Sequence, residues 1–78
     1  MTLKTEIRKV DDCTTIVISY VEDYIGHYRA TVRYITTRKC LTVDTKTNYT
    51  YDGIVKAADK IAKEMMNEHD QHAGDCNV

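Results

Sequence analysis

The stretch from Thr50 to Glu68 reads TYDGIVKAADKIAKEMMNE, and it decides how the remainder of the chain must fold. Its apolar residues recur at steps of three and four, which places them on one side of an α-helix. These residues are Tyr51, Ile54, Val55, Ala58, Ile61, Ala62, Met65 and Met66. A helix with one apolar side needs a surface to cover, and the residues before Tyr49 are predicted to be strands. The stretch therefore predicts one amphipathic helix packed on one face of one sheet.

Strands are predicted before this helix at residues 2–10, 14–21, 27–37 and 40–44. The second contains TTIVISYV, which is apolar on both faces and is typical of a central strand. Turn signals separate the strands at Asp11-Asp12, Gly26 and Arg38-Lys39. The sequence thus predicts an α+β fold, in which an antiparallel three- to four-stranded meander precedes a C-terminal amphipathic helix. Residues 1–68 are expected to form this single domain, and residues 69–78 are expected to be a flexible tail.

Alternation along the second and third strands predicts which side chains meet the helix. The helix-facing set is Ile16, Ile18, Tyr20, Tyr28, Ala30, Val32 and Tyr34. The opposite set is Val17, Ser19, Val21, Arg29, Thr31, Arg33 and Ile35. A change of one residue in the turn between Glu22 and His27 would exchange the two sets. At the start of the helix, Thr50 is the predicted N-cap, and Gly53 suggests a close approach of the helix to the sheet.

The charge balance limits the classes of function. The 78 residues carry 11 Lys and Arg against 12 Asp and Glu, a net charge of −1. On bulk charge this excludes a strongly basic nucleic-acid-binding protein and a strongly acidic DNA mimic, although it leaves a local patch open. The N-terminus, MTLKTEIRKV, has charges where a signal peptide would be apolar, and no stretch approaches a membrane span. We therefore expect a cytoplasmic protein with no membrane partner.

The cysteines are Cys13, Cys40 and Cys76, an odd count at wide spacing that is a poor basis for a disulfide framework. Reduced thiols are expected, with Cys13 and Cys40 as small buried residues. Cys76 also follows His69 and His72 at a spacing that suits metal ligands. A polar tail is the favoured interpretation of these three residues, because no fourth ligand lies nearby in the sequence. We expect neither a metal nor a cofactor.

A helix that covers one sheet face leaves the other face uncovered, with Val17 and Val21 beside arginines. Arginine among exposed aliphatic side chains is typical of protein interfaces. The alternative is an ordinary solvated face. We predict a partner-binding surface made of the uncovered face and the adjoining turns: Tyr24, His27, Arg29, Arg33, Arg38 and Lys39.

Further hypotheses use the same surface. In the first, a nucleic-acid-binding regulator, the basic residues contact phosphates and tyrosines such as Tyr28 stack on bases. The acidic Glu22, Asp23 and Asp44 and the net charge disfavour it relative to protein binding. In the second, two copies pair through sheet edges or faces as a homodimer. Enzymatic activity is not expected, because the sequence offers no nucleophile–base arrangement and no glycine-rich phosphate loop.

The strands TTIVISYV (14–21) and HYRATVRYIT (27–36), followed by the helix at 50–68, resemble the architecture of small bacteriophage and mobile-element proteins, especially anti-CRISPR proteins. The resemblance covers most of the chain. It transfers no functional residue, because these families share no diagnostic motif. It implies a non-enzymatic inhibitor that binds a host protein or ribonucleoprotein, namely a CRISPR–Cas nuclease or surveillance complex. Such an inhibitor would block nucleic-acid binding or nuclease recruitment.

Overall fold

The computed structural model describes residues 2–23 and 25–71, and the side chains among them up to Glu68. The strands are β1 (Thr2–Asp11), β2 (Thr14–Glu22), β3 (Tyr28–Thr36) and β4 (Cys40–Asp44), and they are followed by the helix α1 (Tyr51–Gln71). The strands form one antiparallel sheet in the order β1-β2-β3-β4. The predicted α+β meander is confirmed. The helix ends at Gln71 rather than Glu68, because no Gly or Pro interrupts the sequence there.

The predicted face assignment is also confirmed. β2 pairs with β3 so that Ile18 lies opposite Val32 and Tyr20 opposite Ala30. The helix-facing side chains of both strands are buried against α1, and Tyr28 is half-buried at the margin of this core. The buried apolar residues are Ile16, Ile18, Tyr20, Ala30, Val32, Tyr34, Ile54, Ala58, Ala62 and Met65.

The turn between β2 and β3 holds this register in place. The carboxylate of Asp23 accepts hydrogen bonds from the backbone N–H groups of Ile25 and His27, both at 3.0 Å. The N–H of Asp23 donates to the carbonyl of His27 at 2.9 Å, and Gly26 has φ +81°, as its position in the sequence predicts. The bond from His27, followed by the bond from Ile25, lowers the pKa of the Asp23 carboxyl.

A threonine side chain completes the pairing of β3 beyond the end of β4. The N–H of Ala30 donates to Oγ1 of Thr45 at 2.9 Å, and the N–H of Thr45 donates to the carbonyl of Ala30 at 2.9 Å. Further along, Tyr28 and Asn48 exchange backbone hydrogen bonds, both at 2.8 Å. The segment 45–48 thus continues along β3 and leads directly into α1.

We expect Thr45→Val to lower the free energy of unfolding by about 1–3 kcal/mol, because the buried N–H of Ala30 would lose its acceptor. Thr45→Ser retains the hydroxyl oxygen and should lose less. Urea unfolding of the two variants measures the difference. Equal stability of the valine and serine variants would show that the side-chain acceptor is not needed.

Two residues explain the start of the helix. The hydroxyl of Thr50 accepts a hydrogen bond from the N–H of Gly53 at 3.0 Å, which confirms the predicted N-cap. A Cβ atom at Gly53 would lie 2.7 Å from Cγ of Asn48. The close neighbour of Gly53 is therefore the side chain of Asn48. The expectation that Gly53 allows the helix to approach the sheet closely is wrong.

The expectation for the cysteines is confirmed for the reduced state of Cys40 and is wrong for its burial and for the reduced state of Cys13. Cys40 is a free and exposed thiol, because it lies on the edge strand β4, where every residue is exposed. Cys13, in the turn between β1 and β2, is half-buried and disulfide-bonded. Wide spacing in the sequence does not reveal which cysteines the fold brings together.

Candidate functional site

The side of the sheet that faces away from α1, here called the open face, is the candidate site. Its members alternate along each strand with the residues that face the helix, and the strand registers place them in rows across the sheet. They are Thr5, Ile7, Lys9, Thr15, Val17, Ser19, Val21, Arg29, Thr31, Arg33, Ile35, Cys40, Thr42 and Asp44.

A largely exposed aliphatic side chain from β1 belongs to this face. Ile7 is 70% exposed and lies opposite Val17, which in turn lies opposite Arg33. In the sequence, Leu3, Thr5 and Ile7 alternate with Lys4, Glu6 and Arg8, and this pattern predicts one solvent-exposed strand face without fixing the side of the sheet on which Ile7 lies. The pairing with Val17 decides it, and Ile7 therefore joins the surface that was predicted from β2 and β3.

The open face is basic although the whole chain is not. Among its members, Lys9, Arg29 and Arg33 are cationic and Asp44 is anionic. A carboxylate oxygen of Asp44 accepts a hydrogen bond from the Thr31 hydroxyl at 2.9 Å. The face therefore offers exposed guanidinium groups beside aliphatic side chains, which suits an acidic partner surface.

A shallow cavity lies at one end of the open face, next to Arg29. Its volume is about 260 Å³, which is below the usual range for small-molecule sites. The polar groups on its lining include the guanidinium of Arg29 and the hydrogen-bonded Thr31 and Asp44. This geometry suits contact with another macromolecule better than enclosure of a ligand. The lining residues are Val21, Arg29, Ala30, Thr31, Asp44 and Thr45.

An aromatic pair extends the open face beyond the start of β3. His27 is half-buried, and its ring meets that of Tyr49 edge-on, with centroids 4.7 Å apart. Tyr49 is 79% exposed. It comes opposite His27 because Tyr28 and Asn48 pair through their backbones. No periodic pattern in the sequence marks Tyr49, since it lies in the loop before the helix.

The structure separates the predicted site residues into two groups. His27, Arg29 and Arg33 share the open face, whereas Arg38 and Lys39 lie beyond the opposite end of β3. Nine strand residues span about 30 Å, so these ends are far apart. Nζ of Lys39 lies 6.0 Å from the ring centroid of Tyr34, on the side that faces the helix. Arg38 and Lys39 are therefore distant from His27, and Tyr24 lies outside the described residues.

The candidate metal ligands cannot be placed from the described residues. The side chain of His69 and the residues His72 and Cys76 lie outside them. Within residues 2–23 and 25–68, no group of three or more His, Cys, Asp or Glu side chains is arranged to hold a metal ion.

A cluster of ionisable side chains lies on the other side of the sheet, between β1 and α1. Arg8 donates from Nε to Glu6 at 2.7 Å and from Nη1 to Asp59 at 3.0 Å, and Lys63 contacts Asp59 at 3.0 Å. The hydroxyl of Tyr20 donates to Glu6 at 3.5 Å. The helix packs mainly on β3 and less on β2. The ion pair between Arg8 and Asp59 therefore links β1 to a helix that packs on other strands.

The pKa shifts in this cluster have electrostatic causes that fit a structural role. The hydrogen bond from Arg8 lowers the pKa of the Glu6 carboxyl, and bonds from Lys63 and then Arg8 lower that of Asp59. Burial, followed by the charge of Glu6, raises the pKa of Tyr20. The hydrogen bond to Glu6 raises the pKa of Arg8. Perturbed groups can mark a catalytic site, but here each shift is caused by a hydrogen bond or charge within the cluster or by burial.

The cluster predicts a loss of stability in acid. Glu6 and Asp59 have lowered pKa values in the folded state. Their contribution to the free energy of unfolding is therefore complete above the unfolded pKa values of about 4.3 and 3.9. It disappears as the pH falls through the folded pKa values. We expect Arg8→Met to flatten this part of the pH dependence of the urea midpoint. Asp23 titrates in the same window and should be unaffected.

Arg38→Met is the matched control, because Arg38 is an exposed arginine in a turn. Its pH profile should follow that of the unsubstituted protein. If Arg8→Met and Arg38→Met gave the same profile, the cluster would not be the origin of the acid sensitivity.

Comparison with known proteins adds no family to this geometry. No family model matches the chain, and no curated protein or solved structure matches it. Of the helices that the structure describes, none is both long enough and apolar enough to cross a membrane.

Proposed function

We propose that this protein is a non-enzymatic inhibitor that binds a larger protein or ribonucleoprotein through the open face and acts by occlusion. The observation that carries the proposal is the position of Ile7, which is largely exposed in the same row as Val17 and Arg33. Aliphatic side chains next to arginine provide apolar area and directed hydrogen bonds together, as central parts of protein interfaces do.

The resemblance to anti-CRISPR proteins supplies the class of partner, a host CRISPR–Cas nuclease or surveillance complex in the cytoplasm. The charge of the open face favours one of the two modes of inhibition. A groove that binds nucleic acid is itself basic, so a face with Lys9, Arg29 and Arg33 would be repelled from it. Blocking nuclease recruitment through an acidic protein surface is therefore the favoured mode.

The test is capture of the partner from lysates of bacteria that carry CRISPR–Cas systems, followed by reconstitution of the captured complex. We expect the protein to reduce cleavage of target DNA while binding of target DNA to the complex persists in a gel-shift assay. Inhibition with loss of DNA binding would refute the recruitment mode. Absence of any effect on captured complexes would refute the inhibitor proposal.

Both the oxidised and the reduced protein should be assayed, because Cys13 is disulfide-bonded in the structure and a cytoplasm would keep it reduced.

A nucleic-acid-binding regulator is the second candidate, and the cations of the open face beside the exposed Tyr49 support it. This candidate predicts gel-shift affinity for single-stranded nucleic acid that falls steeply between low and moderate salt. A shift that is absent at low salt, while the protein still captures a protein partner, would exclude it.

A further inference from the structure

The edge of the sheet at β4 has backbone groups that point away from the fold. The N–H of Thr36 donates to the carbonyl of Lys39 at 2.8 Å, and the N–H of Thr45 donates to the carbonyl of Ala30 at 2.9 Å. These bonds show that positions 39 and 45 face β3. In an antiparallel ladder the inward-facing positions alternate, so positions 41 and 43 also face β3. The N–H and C=O groups of 40, 42 and 44 are therefore directed outward.

The two edges of the sheet differ in their protection. β1 carries Lys4, Glu6, Arg8 and Lys9 and has register shifts near both of its ends. Charges and bulges of this kind discourage pairing with another strand. β4 has no charged residue from Cys40 to Val43, and its register with β3 is regular. β4 is therefore the edge that another strand can join.

A groove runs between β4 and the second half of α1. Leu41 and Val43 point towards the helix and are 45% and 40% exposed. The groove has a volume of about 160 Å³, and the charged side chains on its lining are Glu64 and Glu68. Its full lining is Leu41, Val43, Ile61, Glu64, Met65 and Glu68.

We infer that β4 accepts an extended segment of a partner protein as an additional strand. Side chains opposite Leu41 and Val43 would point into the groove, so aliphatic residues are required there. Glu64 and Glu68 make the lining of the groove acidic. The groove-facing positions of the segment before and after the aliphatic ones should therefore be Lys or Arg. The groove lies on the helix side of the sheet, and binding there does not depend on the side chains of Arg29 or Arg33.

The same charges disfavour a second copy of this chain as the occupant. An antiparallel pairing of two β4 strands centred on Thr42 would satisfy the outward N–H and C=O groups. The twofold axis would, however, place both helices on the same side of the joined sheet. Glu64 and Glu68 of each copy would then face those of the other, which opposes association.

Two short synthetic peptides serve as probes. One alternates threonine with valine and lysine, and the other has glutamate in place of lysine. We expect the basic peptide to bind and to shift the amide resonances of Cys40, Thr42 and Asp44, and the acidic peptide not to bind. Thr42→Pro should weaken binding of the basic peptide about tenfold or more, because it removes an outward N–H and no bond to β3. Thr42→Ala keeps this N–H and should bind as the unsubstituted protein does.

A charge reversal tests the groove independently of the backbone. Glu64→Lys combined with Glu68→Lys should reverse the preference between the two peptides. Arg29→Glu with Arg33→Glu should leave peptide binding unchanged, which separates this site from the proposed function. The inference is overturned if the basic peptide leaves the amides of 40–44 unshifted. It is equally overturned if light scattering shows a dimer that Thr42→Pro dissociates, because a second copy would then occupy the edge.

Discussion

Ile54→Ala will lower the free energy of unfolding by about 2–4 kcal/mol. Ile54 is 0% exposed, at the start of α1 and within the apolar cluster between the helix and the sheet. Truncation removes buried methylene groups and leaves a cavity that the surrounding side chains fill only partly. A domain of 78 residues typically has about 4–12 kcal/mol of stability in total, so the loss is a large fraction of it. Urea unfolding followed by circular dichroism measures the change.

Ile7→Ala is the matched control, since the same side chain is truncated on the open face. Ile7 is 70% exposed, so we expect its truncation to change stability by no more than about 0.5 kcal/mol. The same variant should weaken binding of the captured partner. Equal destabilisation by the two alanine substitutions would contradict the burial of Ile54 between the helix and the sheet.

Arg29→Glu with Arg33→Glu will reduce affinity for the captured partner by about 100-fold or more. Both side chains are exposed, and their neighbours across the sheet are Val21 and Val17, so the fold should be unaffected. The substitutions leave Lys9 as the only cation among the open-face residues and add two anions to Asp44. An acidic partner surface would then repel the face. Calorimetry with the purified partner measures the loss.

Lys56→Glu with Lys60→Glu gives the same change in net charge on the solvent-exposed side of α1. We expect this control to keep most of the affinity, with at most a small reduction in association rate. If both double variants lost affinity equally, net charge rather than the open face would account for binding. If the arginine variant bound normally, the open face would not be the binding surface.

The local features of the sequence predict the helix and the buried side of the sheet correctly. The steps of three and four between Ile54, Ala58, Ala62 and Met65 arise from the geometry of one helix and need no distant partner. The alternation of Ile16 and Ile18 is equally local. Gly26 is recognisable because a positive φ in a tight turn favours glycine. These patterns lie within a few residues, so the fold class and the core were accessible before the structure.

The composition of the candidate site was less accessible. Arg29 and Arg33 belong to the same strand face, so alternation predicts that they lie together. Arg38 and Lys39 follow the other end of β3, and the sequence does not show this distance, because closeness in sequence is not closeness on a surface. Tyr49 reaches His27 only through the pairing of Asn48 with Tyr28. No spacing rule connects residues that a loop brings together.

By itself, the sequence determined that one amphipathic helix covers one face of an antiparallel meander, because periodicity is a property of each element alone. Only the tertiary structure decided that Ile7 joins the open face, that Arg8 reaches Asp59 across 51 positions in the chain, and that β4 is an exposed edge strand. Each of these depends on strand register and on where the helix lies across the sheet. Such relations are set by packing between elements that are distant in the chain, and they leave no periodic signal within either element.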